Sequence, residues 1–349
     1  MDDEKVNEFL GRFVTDLAAT EAAGSIVVGH RLGLYRALAE GGPATPEEFA
    51  ERTGCHPRYL TEWLRGQAAG GYAEYDPETG RFRLSEEQAF CLADPNGPNV
   101  PAAFLVAVGM LRAEPRITEA FRTGAGVGWH EHSEDVFVGC DAFFRPGYAA
   151  ELVPHWIPAL DGVEAKLAAG ARVADVGCGL GSSSMLLAEA YPRARVVGSD
   201  YHADSIALAR KRAAESGLAD RVSFEVASAQ TFTGTGYDLV TMFDCLHDMG
   251  DPLGAARRVR EALDPDGTWL LVEPIASDKV EENFNPVGRL YYSASTFLCV
   301  PNSLSQPVGR ALGAQAGDAA IREVATEAGF TRFRRAAETT FNAIYEIRP

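Results

Sequence analysis

The stretch Val173-Ala-Asp-Val-Gly-Cys-Gly-Leu-Gly-Ser-Ser183 places three closely spaced glycines between an apolar run and a segment of helical character. Residues 172–176 predict a short buried strand, and residues 182–190 predict a helix. Glycines at such a junction let the backbone turn sharply and let a ligand approach the main chain. In doubly wound sheets, ligands bind at the carboxyl ends of the strands. We therefore expect a ligand-binding loop in a parallel α/β sheet.

The spacing of these glycines argues against a dinucleotide site. Gly177, Gly179 and Gly181 follow the pattern GxGxG, whereas the dinucleotide fingerprint GxGxxG needs its third glycine where Ser182 stands. Asp175 places a carboxylate just before the loop, where it would repel a pyrophosphate and attract a cationic group. The residues thus favour a ligand with a positive end, such as the amino acid moiety of S-adenosylmethionine, over NAD.

The chain alternates strands and helices on the carboxyl side of this loop. Further strands are predicted at residues 195–199, 221–226, 237–243 and 268–272. Such repeated βα units predict a doubly wound, mostly parallel sheet. Two successive β-type runs at 332–338 and 343–347 predict an antiparallel hairpin, which completes a seven-stranded sheet.

Asp200 lies at the end of the second strand of this unit, one βαβ step after Asp175. An acid in this position accepts hydrogen bonds from ribose hydroxyls. This feature is shared by NAD sites and S-adenosylmethionine sites. The alternative is that Asp200 is a turn residue before the next helix.

Residues 172–272 resemble the class I S-adenosylmethionine-dependent methyltransferases. The glycine-loop motif of that family matches Asp175 and the three glycines, and its ribose-binding acid matches Asp200. Ser228 stands where the family usually has an acid near adenine, so a hydroxyl would replace a carboxylate there. The resemblance implies further cofactor contacts from Tyr201, Ala229, Phe243 and Asp244, and from Tyr148 in the segment before the core.

His247 and Asp248 follow the fourth strand of this region. In plant-type O-methyltransferases, which the chain resembles, a His-Asp pair in this position removes the proton of the acceptor hydroxyl. Imidazole suits that task because its ordinary pKa lies near neutrality. The resemblance therefore implies that His247 is the general base and that Asp248 orients it. The alternative is that His247 only packs against or caps the following helix.

Aromatic and histidine side chains outside the core motif are candidates for an apolar acceptor pocket. The candidates are His130, His132, Phe143, Phe144, Tyr291 and Tyr292. With His247 and Asp248, the two earlier histidines also form a possible metal-ligand set, as in related keto acid C-methyltransferases. No histidine follows His247 in the chain, so we expect no metal.

The first 97 residues predict an amphipathic helix, three short helices and a two-stranded hairpin, which is the order of a winged helix. The chain as a whole resembles methyltransferases with such an N-terminal domain. Residues 284–292 and 303–306 resemble an actinobacterial branch that acts on small molecules. We expect domains at 1–97 and 169–349, joined by a helical connector at 98–168 that contributes to the substrate pocket.

Composition sets limits on partners and compartment. The net charge of −17 opposes broad binding to nucleic acid, and no apolar run is long enough to span a membrane. The six cysteines form no CxxC pair, and no secretory leader is recognisable, so we expect a cytoplasmic enzyme with free thiols. The apolar stripe of the predicted first helix favours a homodimer.

We therefore expect an S-adenosylmethionine-dependent methyltransferase that acts on the oxygen of a small molecule. C-methylation of a keto acid is one alternative. The others are a DNA-binding regulator that senses S-adenosylmethionine and an NAD-dependent oxidoreductase.

Overall fold

The computed structural model describes residues 1–349, which separate into two units. The first unit comprises residues 1–109 and 134–146, and the second comprises residues 110–133 and 147–349. Residues 98–109 and 134–146 of the predicted connector fall in the first unit, and its remaining residues fall in the second. The domain bounds given by the sequence stay a prediction.

The N-terminal elements have the order of a winged helix, as predicted. They are α1 (Asp3–Arg31), α2 (Leu34–Gly41), α3 (Pro46–Thr53), α4 (Pro57–Ala69), β1 (Glu74–Asp76), β2 (Arg81–Arg83), α5 (Glu86–Leu92) and α6 (Val100–Leu111). Helix α3 begins at a reciprocal capping box formed by Thr45 and Glu48. The wing is an antiparallel pair in which Tyr75 lies opposite Phe82.

The remaining elements follow in chain order. They are α7 (Glu114–Thr123), α8 (Glu134–Glu151), α9 (Val163–Ala169), β3 (Arg172–Val176), α10 (Ser182–Ala190), β4 (Arg195–Asp200), α11 (Ala203–Glu215), β5 (Val222–Val226), β6 (Tyr237–Phe243), α12 (Pro252–Ala262), β7 (Leu263–Pro274), α13 (Pro286–Phe297), α14 (Cys299–Leu304), α15 (Gly317–Glu327), β8 (Arg332–Glu338) and β9 (Asn342–Arg348). Most of α8 belongs to the first unit.

Strands β3 to β9 form one seven-stranded sheet in the order β5-β4-β3-β6-β7-β9-β8. Strands β3 to β7 pair in parallel, whereas β9 pairs antiparallel with both β7 and β8. The predicted mixed sheet with an antiparallel C-terminal hairpin is confirmed. The strand order reverses at β3, and crevices for ligands form at the carboxyl ends of strands at such a reversal.

One strand differs from the sequence prediction. Strand β7 is longer than its apolar run, since pairing with β6 begins at Leu263 and pairing with β9 continues to Pro274. The extension brings Glu273 into the strand. None of the helices combines the length and apolarity that crossing a membrane requires.

Candidate active site

The glycine loop leaves room for a ligand at one position. Gly177, Gly179 and Gly181 all have positive φ angles, of 76°, 52° and 81°. A Cβ atom at Gly181 would lie 2.6 Å from the Phe224 ring, and one at Gly177 would lie 2.8 Å from the sulfur of Cys245. At Gly179 an added Cβ would meet no atom within 4 Å. The backbone at Gly179 therefore borders open space, whereas Gly177 and Gly181 pack against other residues of the protein.

Asp175 faces the interior rather than this open space. Its side chain is 0% exposed. One carboxylate oxygen accepts hydrogen bonds from the hydroxyls of Ser183 and Ser184, each at 2.6 Å, and the other accepts one from Thr241 at 2.8 Å. Burial raises the pKa of Asp175. This geometry holds the start of α10 against β6, so the direct attraction of a cationic ligand that we expected from Asp175 is not supported by its position.

Asp200 ends β4 beside the glycine loop. One of its carboxylate oxygens accepts a hydrogen bond from the backbone N–H of Gly179 at 3.0 Å, and the other accepts one from that of His202 at 2.8 Å. The carboxylate is thus fixed next to the open space at Gly179. Tyr201 follows Asp200 and is partly exposed. The prediction that both contact the cofactor is not tested by these contacts.

The segment after β5 carries Ser228 and Ala229. The Ser228 hydroxyl lies 2.9 Å from that of Thr231, in a local turn. Ala229 packs at the margin of the core formed by β6, β7 and α12. Their contact with adenine stays a prediction.

Phe243 and Asp244 lie where β6 ends. The ring of Phe243 packs against those of Tyr148 and Trp156, with centroids 5.2 and 6.2 Å away. Asp244 has a φ of 50°, and its carboxylate accepts hydrogen bonds from the Tyr148 hydroxyl at 3.1 Å and the Asn342 amide at 2.7 Å. Burial and repulsion from Glu273 raise the pKa of Asp244 to about 7.

His247 lies in the turn after β6 and pairs with a residue that the sequence analysis missed. Its Nδ1 lies 2.6 Å from a carboxylate oxygen of Glu273 at the end of β7. The other oxygen of Glu273 accepts a hydrogen bond from the backbone N–H of Leu246 at 2.9 Å. His247 is 4% exposed and Glu273 is 2% exposed. Burial lowers the pKa of His247, but the carboxylate of Glu273 outweighs this effect and holds it well above its ordinary value.

The hydrogen-bonding partner of the His247 Nδ1 is Glu273 rather than Asp248. The Asn302 amide donates to the backbone carbonyl of Asp248 at 3.2 Å and lowers the pKa of the Asp248 carboxylate. Burial raises the pKa of Asp248 to about 7, while the His247 charge lowers it. Asp248 therefore lies beside the His247 pair without being its hydrogen-bonding partner.

The predicted acceptor-pocket residues are dispersed. His130 is exposed, while His132 is 7% exposed and neither of its ring nitrogens has a hydrogen-bond partner. Tyr291 donates a hydrogen bond to the backbone carbonyl of Phe341 at 2.7 Å, and Tyr292 borders an apolar cavity. Phe143 and Phe144 belong to the first unit, where their rings stack edge to face. No group of three or more His, Cys, Asp or Glu side chains is arranged to hold a metal ion.

Comparison with known proteins agrees with this geometry. Residues 167–310 match a methyltransferase domain family, and residues 21–94 match the Rv2258c-like winged HTH domain. The chain is a class I S-adenosylmethionine-dependent methyltransferase. The mitomycin biosynthesis 6-O-methyltransferase of Streptomyces lavendulae is 28% identical to this methyltransferase over 272 residues, or 74% of this chain and 75% of that one.

Solved structures share the fold over the whole length of the chain. The mitomycin 7-O-methyltransferase MmcR superposes with a TM-score of 0.72 and 21% identity, covering 99% of this chain and 100% of that one. Human N-acetylserotonin methyltransferase, solved with S-adenosylmethionine, gives a TM-score of 0.72 and 16% identity, with 97% of each chain covered. At these identities the likeness concerns the fold alone.

The residues present fit S-adenosylmethionine, the cofactor of this family. The open space at Gly179 allows close approach to the main chain, and Asp200 offers a fixed carboxylate next to it. The aromatic group around Phe243 lies at the neighbouring strand end. We call these features the cradle: the open space at Gly179, the Asp200 carboxylate and the aromatic rings around Phe243. The cradle lies at the carboxyl edge of the sheet and fits the cofactor.

The wing and its helices hold most of their cations in ion pairs. Arg81 pairs with Glu48, Arg83 pairs with Glu74, and Arg58 on α4 pairs with Glu62. A surface that reads nucleic acid through its phosphates needs cations available to the ligand. These three arginines are therefore already paired with carboxylates of the same domain.

Proposed function

We propose that this enzyme transfers a methyl group to an oxygen atom of a small-molecule acceptor, with His247 as the general base. The observation that carries the proposal is the 2.6 Å pairing of His247 Nδ1 with Glu273 at the carboxyl edge of the sheet. The mitomycin O-methyltransferase relative supports transfer to oxygen. A buried His–carboxylate pair is the arrangement by which proteins orient an imidazole for proton transfer.

Each partner has a distinct task in this proposal. S-adenosylmethionine, when bound, supplies an electrophilic methyl group on its sulfur. Above its raised pKa the imidazole of His247 is neutral. Nδ1 then donates its proton to Glu273, and Nε2 is left as the acceptor for the proton of the substrate hydroxyl. Glu273 then stabilises the imidazolium that forms. Proton removal of this kind contributes typically about 10²–10⁴-fold to the rate.

The cofactor-binding roles extend the same proposal. Asp200 accepts hydrogen bonds from the ribose hydroxyls, as acids at this strand end do in nucleoside sites. The loop lies beside the amino acid moiety of S-adenosylmethionine, and its shape is set by Gly177, Gly179 and Gly181. Ser228 and Ala229 border adenine, while Tyr148, Tyr201, Phe243 and Asp244 complete the wall. Asp175 acts by holding the loop and helix in place.

An apolar cavity is the acceptor site that we favour. It has a volume of about 390 Å³, and Tyr292, Val300, Leu304 and Leu312 are among its lining residues. Gly313 also lines it and donates a backbone hydrogen bond to the carbonyl of His247 at 3.1 Å. Pockets of this size and polarity take drug-sized, largely apolar ligands. We infer an apolar acceptor that presents a hydroxyl group.

The direct test replaces His247 with asparagine, which retains a polar side chain but cannot accept the proton. We expect turnover to fall by at least about a hundredfold. Affinity for S-adenosylhomocysteine, measured by calorimetry, should change little. His155→Asn is the matched control, since His155 is exposed and is not one of the predicted site residues. Full turnover and normal cofactor binding in the His247→Asn enzyme would show that His247 is not the general base.

The winged-helix domain serves assembly rather than nucleic acid binding in this proposal. On α1 the residues Phe9, Leu10, Phe13, Val14 and Leu17 are all exposed and recur at helical spacing. We infer that a second copy of the chain covers this face in a homodimer. The six free cysteines suit a reducing compartment such as the cytoplasm.

A further inference from the structure

The turn that carries His247 is held by α14 and the segment that follows it. The Ser303 hydroxyl donates to the carbonyl of Met249 at 2.8 Å, and the Gln306 side chain accepts from the N–H of Gly250 at 3.1 Å. The N–H of Arg310 donates to the carbonyl of Gly250 at 2.9 Å. Residues 303–306 belong to the stretch that resembles an actinobacterial branch, and they have no role in the proposed proton transfer. These contacts place them behind the catalytic turn.

Asn302 in α14 joins two segments of the chain. Its amide donates a hydrogen bond to the backbone carbonyl of Asp248 at 3.2 Å, and its side chain also lowers the pKa of the Asp248 carboxylate. Its carbonyl oxygen accepts the backbone N–H of Trp129 at 3.0 Å. Asn302 is 3% exposed, so all of these bonds are shielded from water. One buried side chain thus joins the catalytic turn to a second segment.

That second segment reaches the cofactor side of the site. The Trp129 backbone N–H acts to lower the pKa of Tyr201, which places the two residues near each other, and Tyr201 directly follows the ribose-side acid Asp200. The N–H of Val127 donates to the carbonyl of Pro301 at 3.0 Å, so the segment also lies against α14. A chain of contacts therefore runs from Asp200 and Tyr201 through Trp129 and Asn302 to Asp248.

We propose that Asn302 is a positioning residue that couples residues 127–129, beside the ribose site, to Asp248 and the His247 turn. This inference rests on the proposed function, since it assumes that His247 acts as the base and that Asp200 binds the ribose. Asn302 touches neither reacting atom. It acts by fixing the relative position of the two segments, through hydrogen bonds that a hydrocarbon side chain cannot replace.

The electrostatic surroundings of Asp248 make this coupling measurable. The groups that act on its carboxylate are His247, Glu273 and Asp200, together with Asn302. Tyr201 and Cys245 also interact electrostatically with it. Burial raises the pKa of Asp248, whereas Asn302 lowers it. The acidic limb of the rate profile then contains the ionisation of Asp248 as well as that of His247, and removing the Asn302 amide should move the Asp248 step to higher pH.

The test compares Asn302→Leu with Asn283→Leu. Asn283 is equally buried and also makes two backbone hydrogen bonds, but both go to Ser277. Both variants should lose thermal stability. Only Asn302→Leu should weaken S-adenosylhomocysteine binding, by about tenfold, and shift the acidic limb of kcat, because one to two buried hydrogen bonds near the cofactor are lost. Equal effects of the two variants on binding and on the pH profile would overturn the proposal.

Asn302→Asp separates the two arms of the coupling and serves if the leucine variant does not fold. Aspartate still accepts the Trp129 N–H but cannot donate to Asp248 and repels it. We expect cofactor binding near that of the wild type and a clear upward shift of the acidic limb. An unshifted limb would contradict the coupling. Failure of the base assignment would instead appear in His247→Asn turnover, so the two failures are distinguishable.

Discussion

Replacing Glu273 with glutamine removes a single charge from the pair that orients the proposed base. Glu273 accepts two hydrogen bonds, from His247 at 2.6 Å and from the N–H of Leu246 at 2.9 Å. Glutamine offers only one acceptor oxygen, so one of these donors must face an NH₂ group. Both side chains of the pair are almost fully buried, so water cannot compensate.

The magnitude of the Glu273→Gln effect follows from these contacts. A hydrogen bond to a charged group contributes about 1.5–3 kcal/mol, and about 1.36 kcal/mol changes a rate tenfold. We therefore expect kcat to fall by roughly ten- to 150-fold. The carboxylate is what raises the pKa of His247, so its loss should move the acidic limb of the rate profile to lower pH.

Steady-state kinetics across pH, with calorimetric binding of S-adenosylhomocysteine as the control for folding, measure both effects. The cofactor affinity should stay within about threefold, because neither oxygen of Glu273 faces the glycine loop in the contacts that it makes. Wild-type kcat in the glutamine variant, or an acidic limb that stays in place, would refute the role of Glu273.

Three further predictions concern the cradle, the buried acids and the first helix. Gly179→Ala should weaken S-adenosylhomocysteine binding at least about tenfold. Gly217→Ala is the control, because Gly217 has a similar positive φ and equally open surroundings; it should introduce the same backbone strain and leave the binding affinity unchanged. Equal affinities of the two variants would contradict the role of the cradle. Thermal stability should fall as the pH rises from about 4 to about 7, because burial raises the pKa of Asp248, like that of Asp244, from 3.8 to about 7, so the folded state binds more protons than the unfolded state in that range. Scanning calorimetry checks this, and an Asp248→Asn protein with undiminished pH dependence would count against it. Phe13→Asp should shift light-scattering mass from dimer to monomer, whereas Val28→Asp, at another exposed position on α1, should not; a wild-type monomer would exclude the dimer.

The sheet was predictable because its signals are local. The apolar run 172–176, the glycines after it and the alternation of strands and helices follow from neighbouring residues. The antiparallel hairpin followed from two β-type runs in succession. Boundaries were less certain where pairing, rather than composition, sets the end of a strand. Strand β7 extends beyond its apolar run because β6 and β9 continue to pair with it.

The active-site pairs were harder to predict because they join residues far apart in the chain. His247 and Glu273 meet because Phe243 and Val272 lie opposite each other at the ends of β6 and β7. A signal was available, since an acid directly after a buried run at a parallel strand end faces the ligand edge of the sheet. The Asn342 contact with Asp244 had no such signal, because it depends on how the hairpin packs.

The inward orientation of Asp175 shows the limit of arguing from charge alone. Its position before the glycine loop suggested attraction of a cationic ligand. Two serines at the start of α10 and a threonine on β6 supply its hydrogen bonds instead. Serine and threonine hydroxyls can satisfy a buried carboxylate, so a run such as Ser182–Ser184 after a loop acid indicates a structural acid.

The position of a transferred label tests the central claim most directly. The wild type and His247→Asn would each be incubated with methyl-labelled S-adenosylmethionine and a panel of apolar hydroxylated acceptors, and the products would be assigned by mass spectrometry and NMR. The account predicts label on an acceptor oxygen with the wild type and little or none with His247→Asn. Label on carbon or nitrogen, or equal O-methylation by the two proteins, would contradict it.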